Sequence, residues 1–126
     1  MAGELILIVE DNEKNRKLVR DVLQFKGYKT METESAEEGI RLAQESQPAL
    51  ILMDIQLPGM DGITALKQLK ADPKTKGIPV IAVTASAMTH KRETMLAEGF
   101  AGYQTKPISV KDFLEEVRRV LDTHRS

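Results

Sequence analysis

Cysteine is absent from the sequence, and histidine occurs only twice, as His90 and His124. The lack of cysteine excludes disulfide bonds, thiolate metal sites and cysteine nucleophiles. Two isolated histidines also exclude a histidine-rich metal cluster. We expect both histidines to lie away from any functional cluster, in exposed structural roles.

Neither sign of charge dominates, because the 126 residues carry 18 Lys and Arg against 19 Asp and Glu. Binding to a nucleic acid backbone needs an excess of positive charge, and no run of five or six like charges supplies one. The sequence therefore predicts no direct nucleic acid partner.

Long apolar stretches are missing as well. The longest, Leu5–Val9 and residues 50–53, fall far short of the roughly 20 residues that a membrane span needs. The chain does not begin with a basic segment followed by an apolar signal region. We predict no membrane association and a cytoplasmic location.

What the chain does have is a regular alternation of apolar runs and amphipathic segments. Leu5–Val9 is continuously apolar, which is typical of a strand buried on both faces of a parallel sheet. The alternation predicts one α/β domain over residues 1–126, with helices on both faces of the sheet and no output domain. The predicted strands are residues 5–9, 28–31, 49–53, 79–83 and 102–104, and the predicted helices begin after Asn12, Ser35 and Asp61, near Ala87 and at Ser109.

Polar side chains follow the ends of four predicted strands. Glu10 and Asp11 follow the first strand, Asp54 the third, Thr84 the fourth and Lys106 the fifth. In open sheets of this kind, the carboxyl ends of the strands meet at one edge, where ligands bind. We therefore expect these five side chains to converge.

Three carboxylates in one place need a counter-charge. At a separation of about 5 Å and an effective dielectric of about 20, each pair would repel by roughly 3 kcal/mol. Mg²⁺ relieves such repulsion and prefers few carboxylates, retained waters and a phosphate oxygen. With Lys106 and the Thr84 hydroxyl beside it, the cluster indicates phosphoryl transfer, with Asp54 as the natural nucleophile.

Four segments carry a family resemblance: ILIVEDN (residues 6–12), LILMDIQLPGMDG (50–62), PVIAVTA (79–85) and GYQTKPI (102–108). Their combination and order resemble the receiver domain of two-component response regulators over essentially the whole chain. Within that family the chain looks most like stand-alone regulators of cell polarity and division, and like receivers of hybrid kinases. The expected fold is α/β and flavodoxin-like, a doubly wound five-stranded parallel sheet, (βα)5, with strand order 2-1-3-4-5.

The resemblance implies a role for each strand-end residue. Asp54 would be the phosphorylated aspartate, next to a Mg²⁺ ion that Asp11 binds directly and Glu10 binds through water. Gln56 would lend its backbone carbonyl to the metal, so that its side chain is unimportant there. Lys106 would form an ion pair with the phosphoryl group.

The resemblance also implies a switch. Thr84 would move to meet the phosphoryl group, and Tyr103 would turn inward at the same time. This movement would change the face formed by the fourth helix, the fifth strand and the fifth helix, which a partner protein reads. We expect Met88 and Met95 to contribute to that face, although a helical methionine more often fills a core.

The implied partners are proteins. A histidine kinase or histidine phosphotransfer protein would donate the phosphoryl group, docking around the first helix and the loop after the fifth strand, and a protein target would act downstream. The chain would assist its own phosphorylation and dephosphorylation and would not be an enzyme with a separate substrate.

Three other interpretations stay open. One is a receiver excised from a hybrid histidine kinase. A second is a Mg²⁺-dependent phosphatase with an aspartyl intermediate, which usually has a second acid two residues after the nucleophile, where this chain has Gln56. A third is a flavodoxin-like binding module, which should have a phosphate-binding loop where this chain has the acidic Glu10 and Asp11.

Overall fold

Five strands alternate with five helices along residues 3–124, the part of the chain that the computed structural model describes. The elements match the predicted number and order. They are β1 (Leu5–Val9), α1 (Glu13–Phe25), β2 (Lys29–Thr33), α2 (Ala36–Ser46), β3 (Leu50–Asp54), α3 (Gly62–Ala71), β4 (Val80–Thr84), α4 (Arg92–Glu98), β5 (Gly102–Thr105) and α5 (Val110–Thr123).

The strands form one parallel sheet in the order β2-β1-β3-β4-β5, which confirms the predicted topology. Asp54 pairs in register with Val83, and Thr84 pairs with Thr105. The carboxyl ends of β3, β4 and β5 therefore lie side by side at one edge of the sheet, which we call the carboxyl edge.

Two apolar cores cover the two faces of the sheet. Successive β1 residues alternate between them, with Leu7 in the core beneath α2, α3 and α4, and Ile6 in the core beneath α1 and α5. Both faces of the strand are thus buried, because helices cover the sheet on each side. This explains why β1 is a continuous apolar run and not an alternating one.

Side-chain caps fix where three helices begin. Asn12, Ser35 and Asp61 each accept a hydrogen bond from the backbone N–H three residues further on. Such caps satisfy one of the N–H groups that the first helical turn leaves without a partner. The predicted starts of α1, α2 and α3 are confirmed, and α1 begins just beyond the carboxyl edge.

The predicted start of α4 is wrong. The sequence pattern places it near residue 87, but the helix begins at Arg92. A turn comes first, because Ser86 Oγ accepts from Thr89 N at 3.2 Å and Ser86 O accepts from His90 N at 2.9 Å. Residues 85–91 therefore form a loop after β4, which we call the β4–α4 loop.

Two apolar residues of the helices are partly exposed. Leu18 of α1 is 42% exposed and Val110 of α5 is 44% exposed, because narrower stripes of each helix face the sheet. The strand β2 also lies slightly later than predicted, at Lys29–Thr33. No helix within residues 3–124 is long and apolar enough to cross a bilayer.

Candidate functional site

The carboxyl edge brings together side chains from three strand ends. Lys106 donates to Glu10 Oε1 at 2.9 Å and to Asp54 Oδ2 at 3.0 Å. The side chains of Glu10 and Asp54 are only 6% and 3% exposed, and that of Lys106 is 17% exposed. One ammonium group, which follows β5, therefore bridges two buried carboxylates at the ends of the adjacent strands β1 and β3.

Backbone amides hold the other oxygens of these carboxylates. Asp54 Oδ1 accepts from Gln56 N at 3.0 Å, and Glu10 Oε2 accepts from Asn12 N at 3.1 Å. Arg16, in the first half of α1, donates to the backbone carbonyl of Glu10 at 2.9 Å. The orientation of both carboxylates is thus fixed by the start of the loop that follows each strand.

Gly62 lets the chain turn close behind Asp54. A Cβ atom at this position would lie 2.7 Å from the carbonyl oxygen of Asp54 and 2.9 Å from Cα of Ile55. The close approach is secured by a hydrogen bond from Gly62 N to Ile55 O at 3.0 Å. Only glycine fits between α3 and the end of β3 without moving the backbone that carries Asp54.

Burial makes the charges of this cluster costly. Burial and, after it, the nearby Asp54 charge raise the pKa of Glu10 to about 7, against the opposing hydrogen bonds from Lys106 and Asn12 N. Burial lowers the pKa of Lys106, but its hydrogen bonds to Glu10 and Asp54 outweigh this, so that the net shift is upward. The Lys106 ammonium therefore stays charged, whereas the ionised form of the Glu10 carboxyl is disfavoured.

The carboxylates suit a small divalent cation. Glu10, Asp11 and Asp54 each offer an oxygen, and these oxygens lie within 4.8 Å of one another. Asp11 is exposed to solvent while the other two are buried. Three carboxylates against one ammonium leave excess negative charge on the open side, and hard oxygen ligands of this kind are what Mg²⁺ prefers. The residues present therefore fit the predicted ion.

Gln56 makes a side-chain contact that the sequence did not predict. Its backbone N donates to Asp54 Oδ1, and its side chain reaches across to the β4–α4 loop, where Oε1 accepts from Ala85 N at 3.3 Å. The side chain that was expected to be unimportant for the metal thus connects the loop after β3 to the loop after β4.

Thr84 is fully buried at the end of β4, but its hydroxyl faces the β4–α4 loop. The oxygen accepts from Ser86 N at 3.0 Å and lies 3.2 Å from His90 Nδ1. Its hydrogen-bond partners are therefore loop residues, whereas Lys106 bonds directly to Asp54. Thr84 lies at the predicted end of β4, one residue after Val83, which pairs with Asp54.

Tyr103 already points inward in this structure. Its side chain lies in the core beneath α2, α3 and α4, with the residue 8% exposed, and its hydroxyl donates to His90 O at 2.6 Å. Burial raises the pKa of this hydroxyl. The ring is therefore already in the inward position that was expected only after phosphorylation.

His90 is the residue that sequence reasoning missed. We expected it to be exposed and away from the cluster, but it is half-buried and contacts both Thr84 and Tyr103. The error follows from the misplaced start of α4, since a helix from residue 87 would carry His90 away from the strand end. Ser86, which can end a strand and cap a turn, was the available signal. His124 is exposed at the end of α5, as expected.

The two methionines expected on the fourth-helix face differ completely. Met88 in the β4–α4 loop is 89% exposed, whereas Met95 in α4 is 1% exposed and belongs to the core. Met95 is therefore core filling, and the expectation that it contributes to a partner surface is wrong.

An apolar groove lies on the other side of the molecule, between α1 and α5. It is lined by Val22, Phe25, Val110 and Leu114, and Phe25 is 87% exposed. Large exposed aromatic residues are unusual on a free surface and mark contact sites when they cluster with other apolar side chains.

Known proteins match the chain along nearly its whole length. The model of the response regulator receiver domain matches residues 6–118. A relative named polar-differentiation response regulator DivK, from Brucella ovis, is 48% identical over 116 residues, which are 92% of this chain and 94% of that protein. These matches confirm the resemblance drawn from the four segments.

Two solved structures show the same architecture. The receiver domain of the sensor histidine kinase PA1611 from Pseudomonas aeruginosa, which has a magnesium ion coordinated in its active-site cleft, is 31% identical. It aligns with a TM-score of 0.88 over 96% of this chain and 99% of that one. The chemotaxis response regulator CheY4 of Vibrio cholerae is 25% identical and aligns with a TM-score of 0.86 over 94% and 99% of the two chains.

Proposed function

Because this chain belongs to the response regulator receiver domain family and is a phosphoacceptor of two-component signalling, we propose that Asp54 is the residue that accepts the phosphoryl group. The observation that carries the proposal is the setting of its carboxylate. Asp54 is 3% exposed, and its two carboxylate oxygens accept hydrogen bonds from the backbone N–H of Gln56 and from the ammonium of Lys106. A nucleophile held in this way needs little reorientation before it reacts.

The metal that fits the site is Mg²⁺, which Asp11, Asp54 and the backbone carbonyl of Gln56 would hold directly and Glu10 would hold through water. A solved relative carries a magnesium ion in its cleft, and here the three carboxylate oxygens lie within 4.8 Å of one another. When bound, the ion supplies positive charge against the phosphoryl oxygens. It would also offset the repulsion from Asp54, which adds to the burial that raises the pKa of Glu10.

The transfer step is a displacement at phosphorus. A carboxylate oxygen of Asp54 forms the new O–P bond as the N–P bond of a phosphohistidine breaks, and the electron pair of that bond returns to the imidazole nitrogen. Lys106, already 3.0 Å from Asp54, neutralises a phosphoryl oxygen. The hydroxyl of Thr84 donates to another oxygen once it has turned away from the β4–α4 loop.

The added phosphoryl group gives Asp54 roughly one further negative charge at neutral pH. We propose that this charge draws Thr84 out of the β4–α4 loop and thereby changes the face formed by α4, β5 and α5. Because Met88 is exposed in this loop, it belongs to the surface that changes. A downstream protein target reads that surface.

The upstream partner of a receiver is a histidine kinase or a histidine phosphotransfer protein, and we propose that it docks on the groove between α1 and α5. Phe25 is 87% exposed there, and Val110, which also lines the groove, begins α5 four residues after Lys106. The Val110 end of the groove therefore lies close to the carboxyl edge in sequence. A cytoplasmic location belongs to the same proposal, since donor and acceptor must share a compartment.

The role of Asp54 is tested by measuring intact mass after brief incubation with acetyl phosphate, in Mg²⁺ or in chelator. We expect one phosphoryl group to add in Mg²⁺ only and to be lost in Asp54→Asn. A matched control is Asp122→Asn, which removes another carboxylate paired with a cation at the far end of α5. Addition that survives in Asp54→Asn would show that another residue is the acceptor.

The docking surface is tested by separating two donors. In Phe25→Ala we expect phosphorylation by acetyl phosphate to keep its native rate, because Phe25 lies outside the carboxylate cluster. Transfer from a phosphorylated histidine kinase domain should slow at least several-fold. Equal rates from the kinase for the native chain and Phe25→Ala would exclude the groove as the docking site.

A further inference from the structure

The β4–α4 loop contains one residue that contacts both members of the proposed switch. His90 lies 3.2 Å from Thr84 Oγ1 through its ring nitrogen Nδ1, and its backbone carbonyl accepts the hydroxyl of Tyr103 at 2.6 Å. These two residues lie on different strands, β4 and β5. Within residues 3–124, His90 is the group that the structure places in hydrogen-bond range of both side chains.

The hydrogen-bond inventory of Thr84 shows what the contact with His90 does. A hydroxyl has one proton and accepts through its lone pairs, and here it accepts from Ser86 N at 3.0 Å. Its own proton can go to His90 Nδ1 at 3.2 Å or, less favourably, to Ser86 O at 3.4 Å. In either arrangement the proton points into the loop, so Thr84 must leave these partners before it can donate to a phosphoryl oxygen.

Tyr103 is held by hydrogen bonds at both its backbone and its side chain. Its backbone nitrogen donates to Glu116 Oε2 of α5 at 2.9 Å, and its hydroxyl donates to the backbone carbonyl of His90. The ring lies in the core beneath α2, α3 and α4. A displacement of the His90 backbone that releases Thr84 therefore also moves the acceptor of the Tyr103 hydroxyl.

We propose that His90 is a positioning residue that ties Thr84 to Tyr103 and restrains Thr84 from reaching the phosphoryl site. The effect on the rate of phosphorylation rests on the role proposed for Asp54. The tie, by which we mean the two hydrogen-bond contacts of His90 with Thr84 and Tyr103, is present in the chain without a phosphoryl group. Release of Thr84 and movement of the Tyr103 acceptor are then one event, which carries the signal from β4 to β5.

The tie can be measured without phosphorylation, from the aromatic NMR signals of the two tyrosines. Tyr28 belongs to the other core and serves as an internal control, and His124→Ala is the matched histidine control. We expect Thr84→Val and His90→Ala each to shift the Tyr103 ring signals and to leave those of Tyr28 in place. The double variant should shift Tyr103 no further than a single one, and His90→Asn, which keeps a polar group near the Nδ1 position, should restore part of the native shift.

Two results would overturn the tie. One is a Tyr103 signal that neither Thr84→Val nor His90→Ala moves. The other is an additive shift in the double variant, which would mean that the two residues act on Tyr103 independently.

The restraint is measured as the rate of phosphorylation by acetyl phosphate. We expect His90→Ala to react several-fold faster than the native chain, because Thr84 no longer has to break its contact with the ring. In a Thr84→Val background the same substitution should change nothing. A rate that His90→Ala leaves unchanged in the native background would overturn the restraint. A native chain that accepts no phosphoryl group on Asp54 would instead contradict the proposed function, and the tyrosine signals would still decide the tie.

Discussion

Two clusters at opposite ends of the molecule each pair one cation with two carboxylates. At the carboxyl edge, Lys106 bridges Glu10 and Asp54. At the other end of the sheet, Arg118 of α5 bridges Glu4 and Asp122, with both oxygens 3.0 Å from Nη2. The groups and distances are alike, yet the pKa values of the two glutamates shift in opposite directions.

The difference shows in the glutamates. Burial alone would raise the pKa of Glu4, but a backbone hydrogen bond and the pairing with Arg118 outweigh it, and the net shift is downward. For Glu10, burial wins and the pKa rises to about 7. The side chain of Glu4 is 20% exposed and that of Glu10 is 6% exposed, and Glu10 also lies near the Asp54 charge.

A cation that bridges two carboxylates thus accompanies a lowered glutamate pKa in one place and a raised one in the other. At the Arg118 cluster the ionised glutamate favours the folded chain. At the carboxyl edge the ionised glutamate opposes folding, as buried charges without full compensation do. We infer that the carboxyl edge is arranged for binding a cation and a phosphoryl group, and that the Arg118 cluster serves the fold.

The largest stability effect is expected from backbone packing at the two ends. Gly62→Ala places Cβ 2.7 Å from the carbonyl oxygen of Asp54, whereas Gly77, just before β4, has nothing within 4 Å. We expect Gly62→Ala to lower the free energy of unfolding by at least about 2 kcal/mol. Gly77→Ala should change it by less than about 1 kcal/mol, and in the stabilising direction. Urea unfolding measures both, and equal midpoints would contradict the close packing behind Asp54.

The next effect is the pH dependence of Glu10, measured in chelator. Its folded-state pKa lies above the ordinary glutamate value of 4.5, so the folded chain keeps the proton at a higher pH than the unfolded chain does. The stability that this group contributes is therefore present at low pH and lost as pH rises through about 7. We expect Glu10→Gln to raise the free energy of unfolding by about 2 kcal/mol near pH 8, and the gain to fade toward pH 5.

A Glu10→Gln variant that is less stable than the native chain at alkaline pH would contradict this. Such a result would mean that the pairing with Lys106 outweighs burial, and the two clusters would then differ only in position.

The smallest effect belongs to the Arg118 cluster. Because the folded-state pKa of Glu4 is lowered, its contribution to stability is present above the ordinary glutamate value of 4.5 and is lost as pH falls through the folded-state pKa. Arg118 is about a third exposed, so solvent screens the pair, and Glu4→Gln should cost less than about 1 kcal/mol at neutral pH. Thermal unfolding of Glu4→Gln and Glu10→Gln side by side should show changes of opposite sign above neutral pH.

Much of the fold follows from local signals in the sequence. The buried run Leu5–Val9 and the caps at Asn12, Ser35 and Asp61 each act within a few residues, so pattern and propensity identify them. The pairing of Lys106 with Asp54 is also foreseeable, because parallel strands align their carboxyl ends.

The β4–α4 loop is where sequence reasoning failed. Its residues are compatible with a helix, but they form a turn in which the hydroxyl and the carbonyl of Ser86 accept hydrogen bonds from the backbone N–H groups of Thr89 and His90. The positions of His90 and of the Gln56 side chain depend on that turn, so neither could be foreseen. The burial of Met95 follows from the same late start of α4, which places that helix over the core.

The most direct test is to locate the phosphoryl group chemically. Borohydride reduces an acyl phosphate to an alcohol, so that a phosphorylated aspartate becomes homoserine, whereas unmodified carboxylates do not react. We predict that peptide mass mapping after acetyl phosphate, Mg²⁺ and borohydride finds homoserine at position 54 and at no other aspartate, including Asp11 next to it in the cluster. Homoserine at another aspartate, with Asp54 intact, would contradict the assignment of Asp54 as the phosphoacceptor.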